Sequence, residues 1–256
     1  MKQSGKDRFG IEGKIAMVTG ARRGLGLAMA TGLVESGAKL AAVASSSDGS
    51  GLQRTVDGLG GEMLYLQADL CDRAQREGLV DRVVERFGRL DILVNCAGMQ
   101  HRQPSMEFDL GQWDRIVSLM MTAVFELSQQ AARVMEKQGG GKIVNLASLA
   151  SFQGGWTIPA YAAAKHAVVG ITRALANEWA SKNIHVNAIA PGYFDTDMCA
   201  GIKNDPVREP KIRERIPAGR WGSPEDLVGP LLFLASPASD YVDGHVLVVD
   251  GGWMGR

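Results

Sequence analysis

Cysteine is scarce: Cys71, Cys96 and Cys199 are the only three in 256 residues. None forms a CxxC pair, and an odd number spaced this widely builds no disulfide framework. A reducing compartment, the cytoplasm, is the expected setting. Excess charge is also missing, because 28 Lys plus Arg balance 28 Asp plus Glu. No global field then draws the chain to nucleic acid or an anionic membrane. No apolar stretch reaches the roughly 18 residues of a helical membrane span. The segment Met1–Gly10 is polar and lacks the apolar centre of a signal peptide. The four histidines, His101, His166, His185 and His245, have no metal-ligand spacing, so no metal is expected. Internal repeats, low-complexity tracts and long linkers do not occur.

What remains is ordinary globular composition in a length that suits one large α/β domain or two small ones. Short apolar runs alternate with longer helical patterns. Strands are expected at 14–19, 39–44, 62–68, 91–95, 142–147, 185–190 and 245–249. Helices are expected at 24–36, 72–87, 113–137 and 159–182, with a late one opened by Ser223-Pro224-Glu225. Strands this apolar, each followed by a helix, imply a parallel sheet covered on both faces. The expected fold is a single doubly wound, Rossmann-like α/β domain over 1–256, with about seven strands. Gly192–Gly222, with Pro206, Pro210 and Pro217, reads as an irregular segment and a candidate substrate lid.

Thr19-Gly20-Ala21-Arg22-Arg23-Gly24-Leu25-Gly26 follows the first strand and opens a helix. Gly20 permits a tight turn, Gly24 lets backbone approach a pyrophosphate, and Gly26 lets helix and strand pack closely. The helix N-terminus adds N–H groups and partial positive charge. The spacing is GxxxGxG rather than GxGxxG, so the loop alone also reads as a plain strand-to-helix turn. At the end of the second strand stand Ala44-Ser45-Ser46-Ser47, with no acid before Asp48. A carboxylate that would repel a 2′-phosphate is therefore missing, and Arg22, Arg23 and the serines suit one. Asp48 can still serve a free ribose, so NAD and NADP both stay open.

Tyr161 and Lys165 lie four apart on one helix face, and Ser148 ends the fifth strand. An ammonium beside a phenol lowers a pKa that is otherwise near 10. Such a phenol exchanges a proton with an alcohol or carbonyl oxygen, and a serine hydroxyl holds that oxygen. Together with the glycine loop, the trio points to hydride exchange between a nicotinamide and a carbonyl or alcohol. For YxxxK by itself, an exposed helix face is the simpler reading.

With these motifs the chain resembles the short-chain dehydrogenase/reductase family along essentially its whole length. Asp69, Asn95-Cys96-Ala97-Gly98 and Pro191-Gly192 complete the pattern. The resemblance implies a catalytic trio of Ser148, Tyr161 and Lys165. It also implies a cofactor groove of Gly20, Arg22, Arg23, Gly24, Leu25, Gly26, Ser45, Asp69, Leu70, Asn95, Ala97 and Gly98. Pro191, Gly192, Phe194 and Thr196 would bind near the nicotinamide, and Tyr161 and Lys165 would reach its ribose. The second half, in Ser151–Gly155, Ala176–Trp179, Asn187–Tyr193, Arg215–Gly222 and Trp253, is similar to the sugar-acid dehydrogenases of that family. A homotetramer is common there and is expected, with 113–137 and 159–182 as the pairing helices. A small-molecule sugar acid is the expected partner, with no nucleic acid and no membrane.

Two positions depart from the pattern. Cys96 replaces an Asn and is expected to be buried. Met120 stands where the family has a fourth catalytic residue, an Asn that supports a helix distortion beside a proton relay. A Met makes no such polar bond. The substitution reads either as tolerated, with slower proton exchange, or as a disabled relay. For the substrate, Arg102 is the candidate carboxylate partner, and Ser148, Gln153 and Tyr161 are the other candidate contacts. Trp156 reads as core or interface packing, with shaping of the pocket as the alternative. Reduction of a 3-oxoacyl thioester, and dinucleotide binding with weakened chemistry, are the alternatives.

Overall fold

The computed structural model describes residues 8–256, which leaves most of the polar Met1–Gly10 segment outside the described residues. Seven strands form one parallel sheet: β1 (Ile15–Thr19), β2 (Lys39–Ala44), β3 (Met63–Gln67), β4 (Ile92–Asn95), β5 (Gly141–Leu146), β6 (Ile184–Pro191) and β7 (Val246–Val249). Their order is β3-β2-β1-β4-β5-β6-β7. Every residue of β1, β4 and β6 is buried, as befits strands with helices over both faces.

The side-chain period of two divides this sheet between two cores. Ala16, Val18, Leu40 and Ala42 face one side. There they meet α1 (Gly24–Glu35), α2 (Ser50–Gly58) and α8 (Val228–Ala235). Ile15, Met17, Ala41 and Val43 face the other. There lie α3 (Leu79–Phe87), α5 (Ala123–Gln138) and α6 (Pro159–Trp179). The direction of winding reverses between β1 and β4, which opens a crevice at their carboxyl ends.

Four features differ from the sequence-based expectation. The helix α2 escaped notice because only Leu52 and Val56 of it are buried, too few to show a period. The helix expected over 72–87 is broken, because Glu77 is extended and Gly78 takes φ +71°. The long helix runs as α4 (Leu110–Val117), a π-helical turn at Ser118–Thr122, then α5. The segment Gly192–Gly222 is not irregular throughout: it carries α7 (Arg208–Arg215) and a short helical turn at Ala200–Lys203. Its ends meet, since Gly222 N–H donates to Tyr193 O and Asp195 N–H to Gly222 O, both at 2.9 Å. The excursion is therefore closed at its base. Glu209 accepts from the Trp221 indole at 3.2 Å, and Arg215 lies 4.0 Å over the Trp253 ring.

The helix pair α1 and α8 meets at Gly32, where a Cβ would lie 2.4 Å from Val228 Cγ1. Gly32→Ala is expected to destabilise the fold by about 1–3 kcal/mol through overpacking. Chemical denaturation should register this, and Val228→Ala in the same chain should recover most of it.

Candidate active site

The crevice beyond β1 and β4 is a cleft of about 1000 Å³. Its floor is the glycine loop. Gly20 turns at φ +71°, and a Cβ on it would lie 2.9 Å from Ala97 Cα. A Cβ on Gly26 would stand 2.2 Å from the Gly20 carbonyl oxygen, so helix and strand touch backbone to backbone. Thr19 sets the opposite wall, accepting from Cys96 N–H and Ala97 N–H at 3.0 Å each. Thr19 was legible only as part of the glycine motif, not as this clasp. The N-terminus of α1 has no side-chain cap and no acid in its first turn. Its N–H groups thus lie next to the cleft with no side-chain oxygen to accept from them, which suits a phosphate.

Five arginines line this cleft (Arg22, Arg23, Arg102, Arg115 and Arg208) against two acids, Asp69 and Asp197. A chain of zero net charge therefore presents a cationic groove. Arg23 shares its charge with Asp197, 3.5 Å away. Ser45 lines the cleft at the end of β2, whereas Ser46, Ser47 and Asp48 do not. Asp48 is occupied: its carboxylate accepts from Ser50 N–H at 3.0 Å, and these bonds with Ser50 hold its pKa below the ordinary value. The Tyr65 hydroxyl fixes that turn by donating to Ser46 O at 2.7 Å. Asp69 lies in the cleft and accepts from Cys71 N–H at 2.9 Å. Uncapped N–H groups, a glycine cradle and cations fit a dinucleotide.

Of the other expected cofactor residues, Leu25, Leu70, Ala97, Gly98 and Thr196 line the cleft. Asn95 does not. It is buried, donating to Ser128 Oγ and Asn145 Oδ1, and its own Oδ1 has no protein partner. Pro191 and Phe194 are buried at the end of β6, and Gly192 packs against Asp250. Cys96, expected to be buried, is half-buried and lines the cleft. Desolvation pushes its thiol up to about 12.

Ser148, Tyr161 and Lys165 converge at the carboxyl end of β5. Ser148 Oγ accepts from Ala150 N–H at 3.1 Å. Ser151 joins the strand to the helix: its hydroxyl accepts from Ser148 N–H at 3.2 Å and donates to Lys165 O at 2.7 Å. The S-x-x-S spacing of a capping box was the signal for it. The Lys165 ammonium donates to Leu146 O and lies 5.7 Å from the Tyr161 ring centre. Burial pushes its pKa down to about 8. Burial also raises the Tyr161 phenol, against a downward pull from the Ser148 hydrogen bond and the Arg102 charge. Here the hydroxyl and the guanidinium, rather than the ammonium, oppose burial. This arrangement can hold a carbonyl oxygen and pass it a proton.

The candidate substrate residues divide. Arg102 lines the cleft, and its Nη1 lies 3.5 Å from Trp156 O. Gln153 is engaged by the C-terminal turn, accepting from the Trp253 indole at 3.4 Å and meeting Met254 Sδ. Trp156 is 84% exposed and so is not core packing. Cleft residues that the sequence reading did not single out include Met99, Gln100, Arg115 and Arg208. His101 lines the cleft as well, bonded to Gln103 at 3.0 Å. Among the described residues no cluster of His, Cys, Asp or Glu could hold a metal ion.

A doubly wound sheet with a glycine cradle at its switch point and a Ser-Tyr-Lys group beside it defines a nicotinamide-dependent oxidoreductase. The chain belongs to the short-chain dehydrogenase/reductase family: a family model described as enoyl-(acyl carrier protein) reductase matches residues 20–254. It is 49% identical to a 2-dehydro-3-deoxy-D-gluconate 5-dehydrogenase of Dickeya dadantii, over 97% of this chain and 98% of that one. The enzyme of the same name from Escherichia coli is 48% identical with the same coverage. Among solved structures, a gluconate 5-dehydrogenase of Burkholderia cenocepacia in complex with NADP and tartrate matches with a TM-score of 0.93. It shares 37% identity, with 98% of each chain covered.

The Gly26–Gly20 contact leaves no room for a methyl. Gly26→Ala is expected to weaken dinucleotide affinity by about tenfold or more, roughly 1.4 kcal/mol or beyond. Fluorescence titration with NADPH and NADH measures it, with circular dichroism to check that the fold persists.

Proposed function

We propose that this protein exchanges a hydride between NADP(H) and a keto or hydroxy group of a sugar acid of the 2-dehydro-3-deoxy-D-gluconate type. The observation that carries this reading is the meeting of Ser148, Tyr161 and Lys165 beside a cleft lined by five arginines, one of which, Arg102, bears on Tyr161. Relatives of that name, nearly half identical over the whole length, support the substrate class. The engaged Asp48 and the cleft-lining Arg22 support NADP over NAD.

In this reading NADPH, when bound along Gly20–Gly26, Arg22, Ser45, Asp69 and Thr196, supplies the hydride. Asn95, Pro191, Gly192 and Phe194 shape the groove from beneath it. Ser148 donates to the reacting oxygen and fixes its position. Tyr161 gives its proton as negative charge builds there, and takes one back in the oxidising direction. The Lys165 cation stabilises the phenolate left behind. Arg102 pairs with the substrate carboxylate, which a 3-oxoacyl thioester lacks. Gln153 contributes through the wall it builds with Trp253. The Gly192–Gly222 excursion closes over the substrate. The whole of 1–256 acts as one domain in a homotetramer paired through α4–α5 and α6. Three unpaired cysteines and the absence of any long apolar helix among the described residues accord with a cytoplasmic enzyme.

Three measurements test it. Turnover of 2-keto and 5-keto sugar acids, followed by cofactor absorbance, should fall by about a hundredfold or more in Tyr161→Phe. In the reducing direction kcat should decline as pH rises through about 8, because Lys165 loses its proton there. A flat profile across that range, or a Tyr161→Phe enzyme of normal rate, removes the proposed roles. Separately, kcat/KM should favour NADPH over NADH, and Arg22→Ala should erase most of that preference, about tenfold for one lost phosphate contact. Equal use of both cofactors by the unaltered enzyme contradicts the NADP assignment.

A further inference from the structure

The π-helical turn at Ser118–Thr122 forms although its centre is apolar. Met120 is 1% exposed and packs with Ile116, Ala160 and Ala164. A π turn is rare and needs outside support, because one residue too many is held in the helix. The support lies in the loop that follows β3. Ser118 Oγ donates to Cys71 O at 2.8 Å and accepts from Arg76 Nη1 at 3.2 Å. The same Arg76 nitrogen donates to Leu70 O at 2.6 Å. Arg76 Nε meets Glu126 Oε2, in the first turn of α5, at 2.6 Å. Cys71 Sγ donates to Arg115 O, on the near side of the turn, at 3.7 Å. Contacts thus grip the helix before, at and after the extra residue.

Arg76 is only 2% exposed. Burying a guanidinium is costly, and a buried ion pair adds little net stability over apolar packing. Its value lies in specifying one geometry. That geometry joins two sites. Asp69, Leu70 and Cys71 line the far end of the cleft, and Leu119 of the turn lines it too.

We propose that Arg76 and Ser118 are positioning residues that hold the π turn against the Asp69–Cys71 loop, so that a dinucleotide bound against that loop also orders the turn beneath Tyr161. This rests on the cleft being the cofactor site. Tyr161 packs in the same apolar cluster as Met120, which carries order from the turn to the phenol. The brace also explains how the distortion survives with Met at position 120.

Amide hydrogen exchange of the full chain, with and without NADPH, tests the proposal. In the unaltered protein NADPH should slow exchange at 119–123. In Ser118→Ala those amides should exchange about tenfold faster, with α6 and the sheet unchanged. The NADPH effect on them should be lost, and kcat should fall several-fold while the sugar-acid KM holds. Ser118→Thr, which keeps the hydroxyl, should restore all three. Arg76→Lys keeps the charge but not the fork and should give an intermediate turn. Wild-type exchange at 119–123 in both Ser118→Ala and Arg76→Lys overturns the brace, as does faster exchange spread evenly through the protein. A turn loosened by Ser118→Ala in a protein that reduces no keto acid supports the brace and sinks the substrate reading.

Discussion

The close approach of Gly26 to the Gly20 carbonyl is the constraint on which the cleft depends. It brings the start of α1 down onto the end of β1, where a Cβ would stand 2.2 Å from a backbone oxygen. Only then do the uncapped N–H groups of α1 reach the crevice where the sheet reverses direction. The clasp of Thr19 on the amides of Cys96 and Ala97 sets the facing wall at a fixed distance. Backbone, more than side chain, builds the phosphate end of this site.

The chemical end depends instead on burial. Lys165 is 6% exposed, and its ammonium has Leu146 O as its hydrogen-bond partner. Desolvation alone brings its titration near neutrality. Tyr161 feels the same desolvation in the opposite sense, so burial draws the two pKa values away from a stable ion pair. Ser148 and Arg102 oppose this for the phenol. A carboxylate seated on Arg102 would neutralise part of that help, so substrate charge and phenol acidity are linked through one guanidinium.

Much of this was legible in the sequence because the signals were local and periodic. All seven strands were foreseen within about a residue or two, since parallel strands covered by helices read as unbroken apolar runs. The phosphate loop and the Tyr-Lys pair were visible as spacings. What escaped was whatever depended on contacts distant in sequence. Helix α2 buries two residues and shows no face. The engagement of Gln153 by Trp253 spans 100 positions. The break at Gly78 is carried by one left-handed glycine inside an otherwise periodic pattern. Asn95, expected in the groove, turned instead to Ser128 and Asn145 beneath it.

Charge shows the same limit most clearly. Balanced totals gave no reason to expect a nucleic-acid or membrane partner, yet they say nothing about where the charges fall. Five arginines from four separate regions of the chain converge on one cleft, with two acids among them. A low-dielectric crevice focuses such a field far more than the exposed ion pairs elsewhere on the surface can. Arg76 stands apart from those five: it is buried, neutralised by Glu126 and spent on geometry. The fold therefore uses arginine in two ways within one neighbourhood, as open charge for an anionic ligand and as a closed fork for a strained helix. The first use is open to screening by salt, and the second, shielded by burial, is not.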